Sequence, residues 1–299
     1  MQSKRTARRK AIIRRRIFLG ACFIILALGV ALLVFIISSV LSAGDDDNTY
    51  SSNASSDIIS SDVSSENANS NTETENSSTE SENVSQNTDS VTMGEYTLDA
   101  NFSNLLLVNG TNPLPENYDS EVRASLVEID KQYRNNDNVT QIHKDIYPYI
   151  VAMVANAQKD GVDLRVWSPF RSYAIQEDLF RKQVARVGGD EEKAATVVAR
   201  PGTSEHNTGL CADFNMASDT FETTKMYTWM VENAEDYGFI MRYSAEKQPI
   251  TGVIHESWHW RFVGINHAKK INELGMCLEE YVEYLEKEKN NKKETVKNN

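Results

Sequence analysis

Residues 17–41, IFLGACFIILALGVALLVFIISSVL, run for 25 residues without a charge. As a helix rising about 1.5 Å per residue, this run covers roughly 37 Å, enough to cross a hydrocarbon core of about 30 Å with some tilt. Eight Lys or Arg residues fill positions 1–16 ahead of it, and Asp45, Asp46 and Asp47 follow. The positive-inside rule therefore predicts a cytoplasmic basic tail (1–16), a single transmembrane anchor (17–41) and everything beyond it outside the cell membrane. A cleaved signal peptide would have a shorter apolar region, about 7–15 residues, so an uncleaved anchor is the expectation. Leu19-Gly20-Ala21-Cys22 resembles a lipoprotein cleavage site only superficially, because the apolar run follows the cysteine.

The next segment removes another part of the chain from any core. Residues 45–95 hold twelve acids, no Lys or Arg, and one aromatic, Tyr50. Such a Ser/Asn/acidic tract buries too little apolar surface to offset its ordering entropy, and is expected to be a disordered linker. As a flexible coil it would span about 40 Å root mean square. One globular domain is then expected over 96–288, followed by a frayed tail at 289–299. Outside the basic tail and the linker, the chain holds 23 basic and 31 acidic residues, which argues against nucleic acid as a partner.

Within the domain the patterns are mixed. Helices are expected from Asp119 or Ser120 to Arg134; from Thr140 to near Gly161, bent at Pro148; over Tyr173–Arg186; over Glu191–Ala199; over Thr223–Tyr237; and at 266–274 and 278–288. Strands are expected at Val162–Trp167, Leu210–Asn215, Phe239–Tyr243 and Trp258–Val263. No strand–helix–strand series recurs, which disfavours a doubly wound parallel sheet. The expected class is α+β, a small, mostly antiparallel sheet flanked by helices.

Two of the five histidines, His206 and His259, stand in polar, glycine-containing or strand-like surroundings that could present them to a metal. His255-Glu256-Ser-Trp-His259 matches H-E-x-x-H, which needs a helix to place both imidazoles on one face. Ile250-Thr-Gly252-Val before it and Trp258-His-Trp-Arg-Phe-Val263 after it are β chemistry, so that reading is set aside. His206, Asp213 and His259 form a better set: three protein ligands with a fourth position open is what a catalytic zinc site requires. Glu256 can then take a proton from water, and Gly209 permits close backbone approach. Taken singly, Asp213 could cap a turn, Glu256 could sit in a salt bridge, and each histidine could be an ordinary polar residue.

The spacing Ser204-x-His206-x-x-Gly209-x-x-x-Asp213, followed by Glu256-x-Trp258-His259, resembles the zinc D-alanyl-D-alanine carboxypeptidases of the VanY type, which trim peptidoglycan stem peptides. Phe170-Arg171-Ser172 with Gln176, Asn109…Pro113-Leu-Pro115 and Gly238-Phe239…Arg242-Tyr243 extend the likeness over about 105–287. The resemblance implies a hedgehog/DD-peptidase-like fold. It also implies Zn²⁺ on His206, Asp213 and His259, Glu256 as base and then acid, and Arg171 on the free carboxylate of the substrate. Gln176, Ser204, Tyr243 and Trp258 would line the substrate site, with Trp258 beside the metal. The implied partner is a peptidoglycan stem peptide, and an L,D-carboxypeptidase, an endopeptidase or a non-catalytic zinc-containing wall-binding module are the competing readings. His255 and Ser257 depart from the Tyr and Pro common around the family's glutamate, and Cys211 stands where a small apolar residue is usual. Cys211 and Cys277 are expected to remain unpaired.

Overall fold

The computed structural model describes residues 90–297. The expected tail 1–16, the anchor 17–41 and all but the end of the linker 45–95 lie outside the described residues. Among the described residues no helix is long and apolar enough to cross a membrane.

Regular structure begins with a hairpin, β1 (Ser90–Met93) and β2 (Tyr96–Asp99), ahead of the expected boundary at 96. It then runs α1 (Tyr118–Val122), β3 (Leu126–Glu128), β4 (Gln141–His143), α2 (Tyr147–Lys159), β5 (Val166–Ser168), α3 (Tyr173–Arg186), α4 (Glu191–Ala195) and β6 (Cys211–Phe214). After these come α5 (Lys225–Asn233), β7 (Phe239–Tyr243), α6 (Gln248–Thr251), β8 (Glu256–Phe262), α7 (Ile265–Leu274) and α8 (Leu278–Lys297). The central sheet has the order β5-β6-β8-β7, antiparallel throughout, and β3 pairs with β4 in a second small antiparallel sheet. This is the expected class of helices around a small antiparallel sheet.

Strand alternation explains where the site can form. In β8, Trp260 and Phe262 join Ala212, Phe214 and Phe239 in the main core, which packs on the buried face of α2. The alternate residues Ser257, His259 and Arg261 point to the other side, with Cys211 and Asp213 from β6. There Ile240 and Val263 meet Ala268, Ile271, Leu278 and Tyr281 of α7 and α8 in a smaller apolar cluster. The polar side chains therefore sit between the sheet and its second layer, shielded from water.

Several expected elements differ. The helix expected over 119–134 is the short α1, a 3₁₀ turn and then β3, because Leu126–Glu128 pairs with Gln141–His143. The helix expected from Thr140 starts at Tyr147, and Pro148 lies in its first turn, where a missing N–H costs nothing, so it begins the helix and does not bend it. The helix expected over 191–199 stops at Ala195, and that over 223–237 is α5 followed by a 3₁₀ turn at Ala234–Tyr237. Helix α8 continues through the expected tail to Lys297; strong helix formers and the Glu283–Lys287 pair at 2.5 Å suit it to do so. Cys211 and Cys277 are free, as expected.

Candidate metal centre and cleft

Each candidate ligand is presented by a short element: a 3₁₀ turn, β6 or β8. His206 lies in the 3₁₀ turn Glu205–Thr208, which ends at Gly209 with φ 67°. A Cβ at Gly209 would lie 3.0 Å from the His143 amide nitrogen, which itself donates to the Gly209 carbonyl. The glycine therefore allows the chain to reverse against β4 and enter β6, where Asp213 pairs in register with His259 of β8.

The three donor atoms converge. His206 Nε2 lies 3.1 Å from His259 Nδ1 and 3.3 Å from Asp213 Oδ1, and His259 Nδ1 lies 3.1 Å from the same oxygen. Edges of about 3.3 Å are what a tetrahedral site with zinc bonds near 2.0–2.1 Å requires. The outer ring atoms assign the tautomers. His206 Nδ1 is 2.7 Å from the Pro169 carbonyl, which can only accept, so Nδ1 carries the proton and Nε2 a lone pair. His259 Nε2 is 3.3 Å from the Glu205 carboxylate, so Nδ1 likewise turns a lone pair inward. Two nitrogen lone pairs and a carboxylate oxygen pressed together are a donor set that calls for a cation. Burial, and Arg171 at His206, oppose protonation of the imidazoles, yet Cys211 and Asp213, with Glu205 at His259, pull both pKa values upward. Burial would likewise raise Asp213, but His206, His259 and Arg171 outweigh it and hold its carboxyl far below the usual range. The residues fit Zn²⁺. The Cys211 sulfur also lies within 4.8 Å of imidazole nitrogens of both histidines, but Asp213 is the nearer, harder donor.

Glu256 lies beside the donors without joining them. Its Oε2 is 3.8 Å from His259 Nδ1. Strict alternation would place residues three apart on opposite faces of β8. The β7–β8 register breaks here, with Met241 opposite Trp260 but Tyr243 opposite Glu256, and the irregularity lets both side chains reach the site. Burial pushes the Glu256 carboxyl up to about 7, with His259 opposing and Asp213 reinforcing the shift.

A cleft of about 50 Å³ opens on these groups. Val197, Val198 and Val253 form apolar wall, and Arg171, Gln176, Ser204 and Tyr243 lie around it with the histidines and Glu256. Arg171 donates to Asp213 Oδ2 at 3.2 Å and to Gln176 Oε1 at 3.0 Å, while its Nε is buried and unpartnered. Gln176 donates to the Ala199 carbonyl at 2.6 Å, so its amide is occupied in holding Arg171. The Tyr243 ring lies against His259, centroids 5.0 Å apart. Trp258 lies elsewhere: it packs on the main core and does not line the cleft. The position beside the metal implied for it is not where the structure puts it. His255 is also outside the cleft, bonded to the Tyr243 carbonyl and to Glu222.

Glu205 escaped the reading of the sequence. Its side chain is fully buried; Oε1 accepts from Arg242 Nε at 2.7 Å and Arg261 Nη1 at 3.0 Å, and Oε2 faces His259. Burial would raise this carboxyl, but the two guanidinium groups hold it well below the usual range. The available signal was Arg242 and Arg261, two cations inside strands rich in aromatic residues, which require a counter-charge if buried.

An open three-donor metal site, a nearby unligated carboxylate and an arginine lining the same cleft together define the class of zinc-dependent hydrolytic centres. The family described as VanY: D-alanyl-D-alanine carboxypeptidase matches residues 139–265. The D-alanyl-D-alanine carboxypeptidase of Enterococcus faecalis (strain ATCC 700802 / V583) is 38% identical over 186 residues, 60% of this chain and 65% of that protein's length, which is just under two thirds. The solved structure of VanYB in complex with D-alanine-D-alanine is similar with TM-score 0.50 and 38% identity, covering 60% of this chain and 97% of that one. The LdcB LD-carboxypeptidase structure is similar with TM-score 0.55 and 35% identity, covering 66% and 94%. This chain belongs to the VanY D-alanyl-D-alanine carboxypeptidase family.

Proposed function

We propose that this protein is a membrane-tethered, extracytoplasmic zinc carboxypeptidase that removes the terminal D-alanine from peptidoglycan stem peptides. The observation that carries the reading is the inward convergence of His206 Nε2, His259 Nδ1 and Asp213 Oδ1, with Glu256 beside them and the Arg171 fork at the same cleft. Zn²⁺ held by those three residues supplies Lewis-acid polarisation of the scissile carbonyl and acidifies water. Glu256, unligated and beside the donors, would accept the proton of the attacking water and return it to the departing amine. Arg171 meets the free terminal carboxylate with its unpartnered Nε, while Gln176 holds the guanidinium in place. That requirement confines cleavage to the chain end. Val197, Val198 and Val253 offer a small apolar wall suited to a methyl side chain. What supports the tether is the uncharged stretch 17–41 behind eight basic residues.

Replacing Glu256 with Gln should leave bound zinc, measured by elemental analysis, near one equivalent while turnover collapses; near-normal turnover with zinc retained would sink the assignment. Likeness to the LdcB LD-carboxypeptidase favours a second reading, removal of the last residue of a tetrapeptide stem. Arg171 reads only the terminal carboxylate, so the same residues could serve either bond.

A further inference from the structure

A larger cavity, about 220 Å³, shares Ala199, Tyr243 and Val253 with the catalytic cleft but excludes Arg171 and Gln176. The rest of its lining comes from the loop at Asn109 and Gly110, from α4 and the segment after it, and from Thr251 and Gly252. A substrate whose carboxyl end is held at Arg171 has nothing beyond that end. A cavity that opens off the cleft away from Arg171 can therefore be filled only by residues preceding the scissile bond. This step rests on the carboxypeptidase reading above.

The chemistry of the cavity is set by which lining groups are still available. Asn109 Oδ1 already accepts from Thr111 and Asn112, and its Nδ2 donates to Glu279. Thr196 Oγ1 donates to the Lys193 carbonyl, Thr203 Oγ1 to the Arg200 carbonyl, and Thr251 Oγ1 to the Val253 carbonyl. The neutral side chains beyond the shared wall are thus turned inward to the protein. Two charges remain, Arg200 and Glu192. Both ion pairs of Arg200, to Glu192 at 2.7 Å and Glu191 at 3.8 Å, run through the same nitrogen, Nη2. Its Nε and Nη1 have no partner among the described residues. The two carboxylates are 90% and 64% exposed, so these pairs are worth little and exchange readily. The guanidinium itself is held in place over the Phe180 ring, 5.3 Å from its centroid. A substrate carboxylate would meet a pre-placed fork, and a substrate ammonium beside it would meet Glu192.

We infer that this second cavity is a specificity subsite for an upstream stem residue whose side chain ends in a zwitterionic amino-acid head, its carboxylate on Arg200 and its ammonium on Glu192. The zinc-loaded full chain would be assayed on three pentapeptides. They differ only in the upstream side chain, which ends in an amino-acid head, in an ammonium alone, or in a carboxylate alone. An acylated D-Ala-D-Ala, too short to reach the cavity, is assayed alongside. The expected result is a kcat/KM for the zwitterionic pentapeptide roughly tenfold or more above the ammonium-only one, since charge-assisted bonds of this kind carry at least that factor. In Arg200→Gln that ratio should fall towards one. In Glu192→Gln the carboxylate-only pentapeptide should gain relative to the zwitterionic one. Calorimetry of the zwitterionic tetrapeptide product, which needs no turnover, should show the same loss of affinity in Arg200→Gln. A wild-type ratio near one, or an Arg200→Gln ratio and product affinity equal to wild type, overturns the subsite while cleavage of the acylated dipeptide leaves the carboxypeptidase reading standing. Failure to cleave any of the four substrates overturns that reading and the subsite with it.

Discussion

Replacing Glu205 with Gln removes the single charge that two buried cations and the candidate metal ligand His259 share. Arg242 and Arg261 both have fully buried side chains. After the change Arg242 still has Glu279, which it grips through both terminal nitrogens at 2.8 and 2.6 Å. Arg261 keeps only neutral partners, the carbonyls of Phe262 at 2.9 Å and Leu106 at 2.7 Å. Breaking a buried pair costs about 3–5 kcal/mol, and the surviving Glu279 contact puts this case near the lower end. For a domain of this size a loss of about 3 kcal/mol lowers Tm by roughly 6–12 °C. The sign of the pH dependence follows from the depressed carboxyl. Its stabilisation is fully present above the unfolded value of 4.5 and is lost as pH falls below it towards the folded one. Within that window the loss is about 1.4 kcal/mol per pH unit. Thermal melts of wild type and Glu205→Gln, in the same metal state, should therefore differ most at pH 6–7, with the gap reduced by about two thirds at pH 3. A gap under about 2 °C at neutral pH, or one that does not shrink in acid, would refute the argument that Glu205 is an ionised counter-charge. Because Glu205 also receives the outer N–H of His259, zinc affinity should fall by about 10–100-fold.

Three further outcomes are expected. Arg171→Ala should raise KM for peptides with a free terminal carboxylate much more than for the same peptides amidated; equal effects on both would remove the carboxylate role. Gly209→Ala, forced into a left-handed conformation with its Cβ 3.0 Å from the His143 amide, should lose at least about 1–3 kcal/mol in chemical denaturation. Trp258→Phe should change stability and leave KM within about twofold of wild type, because the side chain packs on the core away from the cleft; a large KM effect would restore it to the substrate site.

How much of this was legible follows from the kind of signal each part carries. Helix α3 is legible from end to end because Ser172 caps it and Val187 with two left-handed glycines closes it. Strand β7 is legible because glycine precedes it and aromatic and apolar residues fill it. The donor set was legible because histidines are few and those two stand among polar or strand-forming neighbours. Two expected helices failed where short strands competed. Ile142, Ile146 and Ile150 repeat every four residues as a helix face would, yet Ile142 belongs to β4 and only Ile146 onward leads into α2. The pairing of Leu126–Glu128 with Gln141–His143 is a contact across the chain that local periodicity does not reveal. Trp258 failed for a different reason: its place beside the metal came from the family resemblance, whereas simple alternation puts it with Trp260 and Phe262 on the core face, opposite His259, and it is Glu256 that the register break brings to the site. Glu205 was hidden because its partners lie on β7 and β8, far along the chain, and only the fold brings them together.

The central claim is that the His206–Asp213–His259 centre removes one terminal residue from a stem peptide. The most direct test incubates the zinc-loaded full chain with muramyl pentapeptide and, separately, muramyl tetrapeptide, with and without a chelator, and weighs the products by mass spectrometry. Loss of one alanine from the pentapeptide, abolished by the chelator, with the tetrapeptide untouched, is the predicted result. Loss from the tetrapeptide alone would move the activity to the L,D bond. An unchanged mass for both peptides with zinc bound would contradict the account.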